Sequence, residues 1–400
     1  MAVPAQAGAT QIDIDPFAES TLLDPRRFDE VALAAESILY LPRYDLWALA
    51  RHDHVKSAFA DFRRFSSASG TGLTHIGKSG NWRRPSLILE NDPPDHARYR
   101  KILARVLTGA TLKEIRKRFS AEADAMAEKM VEAGSFDAVS DYAEAFPLIV
   151  VPTMLGLPAE AREVMLAYSE LNFNSMGPDN AVLRRSREKA EPLAEQVKEL
   201  CRRQHLAPGG IGDRIYELGA EAGLPEEDAA ILVRTFFSAS MDTTINGIAF
   251  ALHALAHRPG EWAKLHADPD LANAAFEESL RWNSPSPYNG RTTLVDVEID
   301  GVTIPGDSKV LLLVAAANRD PRRFDRPDEY EIDREDNGHV AFGVGIHACI
   351  GQMVARLEAE MALSALARRA RTITPDGEPT TLVNNWLRGF TSLPIRVEAA

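Results

Sequence analysis

The stretch Phe342-Gly343-Val344-Gly345-Ile346-His347-Ala348-Cys349-Ile350-Gly351 decides the reading of this chain. It offers one soft anionic ligand, the Cys349 thiolate, and glycines at two-residue spacing that let backbone pass close to a flat group. A histidine stands two residues before the sulfur. Ile350, Met353, Leu357 and Met361 then recur at helical spacing, so Cys349 falls at or just before a helix N-terminus, where the dipole favours an anionic sulfur. Backbone N–H groups in such a turn can point at the sulfur and limit its electron donation. A loop built this way presents a thiolate to a haem iron; the plainer alternative is a buried cysteine in an ordinary strand-to-helix turn.

Working outward, the longest helical pattern runs from Pro225 to His257, opened by Glu226, Glu227 and Asp228. Pro at the first turn and acids beside it are a sound N-terminal signal. As one helix it would extend roughly 50 Å, enough to cross the molecule. Inside it lies Ser240-Met241-Asp242-Thr243-Thr244, helix-weakening residues where a buried stretch should be uniform. Such a cluster is either a polar stripe facing another helix or an acid–alcohol pair that moves protons. Arg234 precedes Asp242 by eight residues, roughly 12 Å along the axis. Burying it is costly unless something anionic or polar meets it, either an acidic side chain or a ligand.

The chain has 400 residues, 45% of them hydrophobic, and a net charge of −13. That composition can bury a large core, and an α-rich chain of this size can form one domain; the acidic balance gives no footing for nucleic acid. Two cysteines, Cys201 and Cys349, exclude a disulfide framework, and Cys201 reads as a free thiol on a helix. No stretch reaches the ~18 apolar residues of a membrane span, and the N-terminus has no basic and apolar leader pattern. The expected fold is mainly α with small β-sheets: an N-terminal flexible arm over residues 1–14 and a single domain over 15–400. Hairpin strands are expected within Ile38 to Ala50 and a second strand group within Thr293 to Val314, with helices around 94–107, 112–132, 159–175, 187–204, 226–257 and 268–282.

The Cys349 loop resembles the haem-ligand loop of the cytochrome P-450 family, and further elements follow in that family's order. His96-Ala97-Arg98-Tyr99-Arg100 fits its HxxxR element and Glu278-Ser279-Leu280-Arg281 its ExxR helix. Ala239 to Thr244 occupies its oxygen-activation segment, and Asn318-Arg319-Asp320-Pro321 begins its meander. The resemblance covers about residues 15–400. It implies a soluble, cytoplasmic monooxygenase with haem b bound through Cys349, whose thiolate pushes electron density onto the iron. It further implies His96, Arg100, Arg291 and His347 as partners of the haem propionates, and Asp242 and Thr243 as the catalytic pair that serves dioxygen. Glu278 and Arg281 become structural, pairing with the meander through Arg319 or Arg322. Ser240 stands where the family usually has Gly.

Between His96 and Arg118 stand eight Lys or Arg residues against one acid, Glu114. The plain reading is a solvated helix face; on an acidic protein it is also a docking face for an acidic ferredoxin. No flavin- or NAD-binding motif is visible, so electrons would come from a separate ferredoxin and its NAD(P)H-dependent reductase.

A narrower resemblance concerns substrate. Trp82-Arg83 with Pro85-Ser86-Leu87-Ile88-Leu89-Glu90, and Leu232-Val233-Arg234 leading to Asp242-Thr243-Thr244, look like the bacterial subgroup that oxidises para-substituted benzoates. By that resemblance Arg83, Ser86, Arg234 and Thr235, with Ser238 nearby, recognise a carboxylate, and Phe173, Met176 and Asn289 flank the ring. The chain departs from the subgroup at Met176 and Asn289, where the subgroup has phenylalanines. A smaller, polar Asn289 leaves room for a ring hydroxyl or a second methoxy group. Rival readings are a monooxygenase or peroxide-driven peroxygenase of the same fold acting on neutral aromatics or other apolar substrates, a haem-based sensor or electron carrier, which would need neither the Asp242-Thr243 pair nor a ligand-directed arginine, and a cysteine hydrolase, for which one nearby histidine is insufficient.

Overall fold

A computed structural model describes residues 8–35, 38–79 and 83–400. Helices dominate and small sheets lie at their edges, as the sequence implies. The long helix Gly109–Ala133 shows how local chemistry sets these elements. The Thr108 hydroxyl accepts from the Thr111 N–H at its start, and Gly134 closes it at φ +72°, a left-handed cap that costs glycine little. Its buried stripe is Ile115, Phe119, Ala123, Ala127 and Met130, spaced as one helix face requires. That face packs on Gln352–Arg369, the helix that follows Cys349.

The largest sheet has six strands in the order Thr10–Gln11, Leu39–Leu41, Leu46–Leu49, Lys309–Leu313, Tyr288–Thr293 and Phe65–Ser66. Leu39–Leu41, Leu46–Leu49 and residues 310–313 are apolar throughout because both faces are covered. Leu39, Leu41, Leu46, Leu311 and Leu313 belong to one core, while Tyr40, Trp47, Val310 and Leu312 belong to another. The expected hairpin and second strand group are both present. The expected flexible arm begins outside the described residues, over 1–7, and within them it is ordered earlier than residue 15: Thr10–Gln11 pair in parallel with Leu39–Tyr40, and Ile12 is buried.

Two expected helices are interrupted. The segment 187–204 divides into Ala181–Ala190, a 3₁₀ turn at Glu191–Leu193 and Ala194–Leu200, because Pro192 has no N–H to continue a ladder. Cys201 sits just past the last piece, buried. The long helix breaks into Glu226–Ala239 and Asp242–Ala256. One apolar run, Ala138–Leu155, has the length and composition of a membrane span, and 61% of it is buried inside the protein.

Candidate active site

The break in the long helix faces a cavity of about 250 Å³, lined on one side by Ser240, Thr243 and Thr244 and on the other by Cys349. Across the break the backbone ladder is replaced by side chains. The Ser169 hydroxyl donates to the Ser238 carbonyl at 2.8 Å, and the Thr243 hydroxyl donates to the Ala239 carbonyl at 3.3 Å. The Ser240 hydroxyl bends back onto the Phe236 carbonyl. Buried carbonyls released from a helix need such donors, and the helix restarts at Asp242 with its positive end beside the cavity.

Asp242 points away from the cavity. Burial pushes its carboxyl up to about 7, with Glu170 and Glu144 adding to the rise while Ser169 and Lys189 oppose it. Its Oδ2 has no hydrogen-bond partner among the described residues. A carboxyl poised near neutrality can take and give a proton within the working range. Thr243 supplies the hydroxyl on the cavity side. The acid and the alcohol therefore lie on two sides of one helical turn.

The Cys349 loop has the conformation its glycines allow. Gly343 and Gly345 lie at φ +66° and +75°, and a Cβ on Gly345 would meet Ala60 Cα at 3.1 Å. The Cys349 N–H donates to the Phe342 carbonyl at 2.7 Å, and Arg100 Nη2 holds the Ala348 carbonyl at 2.6 Å. The sulfur's exposure is to the cavity. That enclosure pushes the thiol up, opposed by the Gly351 and Gln352 backbone N–H groups and by Arg100 and Arg356.

The residues fit a haem. Ser67 Oγ and Thr71 Oγ1 on the cavity wall, and His96 Nε2 on a ring that packs against His347, are buried with no hydrogen-bond partner among the described residues. Arg291 is 2% exposed and burial lowers its guanidinium to about 10; Arg100 is lowered by burial in the same direction. Neither arginine has an ion-pair carboxylate among the described residues, and haem carboxylates would supply what these donors lack. His347 differs from expectation: its Nδ1 and Nε2 lie 3.2 Å from the Ile88 carbonyl and 3.0 Å from Asp92 Oδ1. Both ring nitrogens are committed to the protein, so His347 lines the cavity without a free donor. Ser67 and Thr71 were missed in the sequence, although the Ser- and Gly-rich run Ser66 to Gly72 marks a close-packed loop.

Glu278 and Arg281 are structural, with a correction to their partners. Arg281 grips the Glu278 carboxylate at 2.7 and 2.8 Å and reaches the carbonyls of Asn318, Pro327 and Glu329. The third member is Arg334, 3.1 Å from Glu278. Arg319 instead bonds the Trp282 carbonyl and Asp328, and Arg322 pairs with Asp320.

Of the expected substrate residues, Phe173, Met176, Thr235 and Asn289 line the cavity, whereas Arg83, Ser86, Arg234 and Ser238 stand a layer behind it. Trp82 lies outside the described residues. Arg83 is not a free cation: it pairs with Glu90 at 2.8 Å and bonds Asn172 at 2.7 Å. Ser86 Oγ is 3.4 Å from Thr235 Oγ1, and Ser238 Oγ donates to the Arg234 carbonyl at 3.0 Å. Arg84 pairs with Asp228. Arg234 has no carboxylate within ion-pair distance among the described residues and spends one donor on the Arg84 carbonyl at 2.7 Å.

A cysteine loop facing a broken helix across a cavity, braced by a buried Glu–Arg–Arg network, is the arrangement of a haem-thiolate enzyme. The comparisons agree: the cytochrome P-450 family model matches residues 210–399. The chain is 45% identical over 395 residues to cytochrome P-450 CYP199A2 of Rhodopseudomonas palustris, covering 98% of this chain and 96% of that one. It is 32% identical over 335 residues to a vitamin D(3) 25-hydroxylase of Pseudonocardia autotrophica, covering 82% and 81%. The solved structure of CYP109Q5 from Chondromyces apiculatus superposes with a TM-score of 0.81 at 28% identity, covering 97% and 98%. The chain belongs to the cytochrome P-450 family, and it is a haem-dependent monooxygenase. The haem supplies the redox centre at which dioxygen and two electrons yield one oxygen atom for the substrate and one for water.

Proposed function

We propose that the enzyme hydroxylates or O-demethylates para-substituted aromatic carboxylic acids such as 4-methoxybenzoate. Arg234 carries this reading. Of the three arginines at that end, Arg83 pairs with Glu90 and Arg84 with Asp228 and Glu227, while Arg234 has no carboxylate within ion-pair distance among the described residues. Burial lowers its pKa and nearby Arg83 adds to that, against Tyr168, Cys201 and Glu90, which raise it; an anionic ligand would relieve the burial. The Thr235 hydroxyl, next in sequence, opens on the cavity, and Phe173 offers a ring wall. A ring with its carboxylate toward Arg234 would put its para substituent toward Cys349.

Electrons come, in this reading, from a separate acidic ferredoxin and its NAD(P)H-dependent reductase in the cytoplasm. Lys101, Lys113, Lys117 and Arg118 are exposed and make no ion pair among the described residues, and Met353 stands exposed just after the Cys349 loop. A basic rim around an apolar spot suits a transient acidic partner.

The test is a spin-state titration of the ferric holoenzyme. Water leaving the haem site on binding of 4-methoxybenzoate should shift the iron toward high spin, and the neutral methyl ester should bind about ten- to a hundredfold more weakly, the worth of one charge-assisted contact. Arg234→Leu should erase most of that difference while leaving a response to neutral aromatics. Equal binding of acid and ester to the unaltered enzyme would defeat the assignment.

A further inference from the structure

The helix Asp242–Ala256 carries His253 in its last turn and ends on His257 as its C-cap, a four-residue spacing that puts both rings on one face. Their ring centroids stand 4.5 Å apart. Trp282 and Phe390 hold the His253 ring by packing, with centroids 6.4 and 5.0 Å away. His257 Nδ1 lies 2.9 Å from the His253 carbonyl. A carbonyl only accepts, so Nδ1 carries the proton, which leaves the Nε2 lone pair of the exposed His257 free. His253 Nδ1 is buried without a partner among the described residues; its Nε2 makes no hydrogen bond among them and is not among the buried unpartnered atoms, so it opens outward. Burial holds this ring's pKa down at about 4, with His257 and Arg258 adding to the fall. The ring is therefore neutral at pH 7, the form that ligates metal.

We infer that His253 and His257 form an open two-nitrogen site for a borderline divalent transition ion, Zn²⁺, Ni²⁺ or Cu²⁺, at the end of the helix that starts at Asp242. With N–metal bonds of about 2.0–2.1 Å and ring centres about 1.1 Å behind the nitrogens, two imidazoles meeting one ion at about 90–110° have centroids roughly 4.5–5.2 Å apart. The observed separation of 4.5 Å falls in that range. No third His, Cys, Asp or Glu completes the set among the described residues, so water fills the remaining positions and the site is weaker than a four-ligand zinc centre. Two nitrogens without a carboxylate select against Mg²⁺ and Ca²⁺, which take oxygen ligands. The carbonyl end of a helix favours a cation. Arg258 opposes one, with its guanidinium turned onto the Ala254 carbonyl and the Trp282 ring. An ion held by both rings staples the last turn of the helix to its cap.

The experiment titrates tag-free ferric holoenzyme with Ni²⁺, Zn²⁺ and Mg²⁺ by calorimetry, in the parent and in His257→Gln, His253→Gln and His205→Gln. The parent should take up one equivalent of Ni²⁺ or Zn²⁺ and no Mg²⁺, and its thermal midpoint should rise with the ion, because only the folded chain holds both rings in place. His257→Gln and His253→Gln should each weaken binding at least about tenfold, the cost of disturbing even a supporting contact of a metal site. His205→Gln, which alters an exposed histidine outside the pair, should match the parent. His257 is exposed, so its variant decides the case if His253→Gln loosens the Trp282 and Phe390 packing. The reduced carbon monoxide spectrum should be the same with and without the ion; its loss would place the ion at Cys349 and overturn the inference. Binding of parental strength in His257→Gln, an equal loss in His205→Gln, Mg²⁺ bound as tightly as Zn²⁺, or no uptake of either transition ion by the parent would each overturn it as well.

Discussion

Replacing Arg281 by methionine tests what holds the cysteine loop's scaffold. All five N–H groups of Arg281 have acceptors: two carboxylate oxygens of Glu278 and the carbonyls of Asn318, Pro327 and Glu329. Both side chains of the pair are fully buried. Arg281→Met would leave the carboxylate to Arg334, Asn337 and the Glu331 N–H, and three carbonyls with a lost donor. Breaking a buried pair on one side costs about 3–5 kcal/mol. Arg334→Met leaves Arg281 on the carboxylate, and removes a charge-assisted contact to Glu278 worth about 1.5–3 kcal/mol together with the Glu331 pair and hydrogen bonds to the Asp325, Arg326 and Glu329 carbonyls. Arg322→Met should cost less than about 1 kcal/mol, since that side chain is 47% exposed and among the described residues pairs with Asp320 and makes two long hydrogen bonds to the Leu33 carbonyl. Urea unfolding of the holoenzyme, followed by far-ultraviolet circular dichroism and by the haem Soret band, measures all three. A loss in Arg322→Met as large as that in Arg334→Met would refute the network as drawn, and so would an Arg281→Met midpoint indistinguishable from the parent's.

Cys349→His should keep some haem yet lose the long-wavelength Soret band of the reduced carbon monoxide complex, because thiolate donation is gone; an unchanged band would remove Cys349 from the iron. The Asp242 carboxyl, raised to about 7 in the fold from an ordinary 3.8, keeps its proton in the native state over a window where the unfolded chain has lost it. Stability is therefore lost as pH rises from about 4 to 7, by up to ~4 kcal/mol. Asp242→Asn should gain more stability over the parent at pH 8 than at pH 5, and slow turnover more than it weakens substrate binding; an equal gain at both pH values would count against the buried carboxyl.

Much of the site is legible in the sequence because its signals are local. Gly343, Gly345 and Cys349 form one turn, His96 and Arg100 lie one helical turn apart, and Glu278 and Arg281 are an i,i+3 pair. The break at Ser240 was half legible: weak helix formers mark the place, but the ladder gives way only because Ser169, from a helix some seventy residues earlier, supplies a hydroxyl to the freed Ser238 carbonyl. Arg334 was missed for the same reason. It reaches Glu278 through the path of the meander, and nothing in the local pattern ranks it above Arg319 or Arg322.

The buried and half-buried arginines fall into two groups by the partners they meet. Arg281, Arg388 and Arg83 each meet a carboxylate on the chain itself, Glu278, Asp29 and Glu90. Arg100, Arg291 and Arg234 are buried or half-buried and meet only carbonyls or an amide oxygen among the described residues. In the sequence all six look alike, an arginine within an apolar neighbourhood. Burying a guanidinium without a counter-charge costs free energy that a stable fold does not otherwise spare, so the unmatched three point outward from the protein to its ligands. Arg100 and Arg291 line the cavity that holds Cys349, where haem carboxylates would answer them. Arg234 stands behind Thr235, outside the cavity lining, and in the proposed reading it is the substrate's anion that answers its charge.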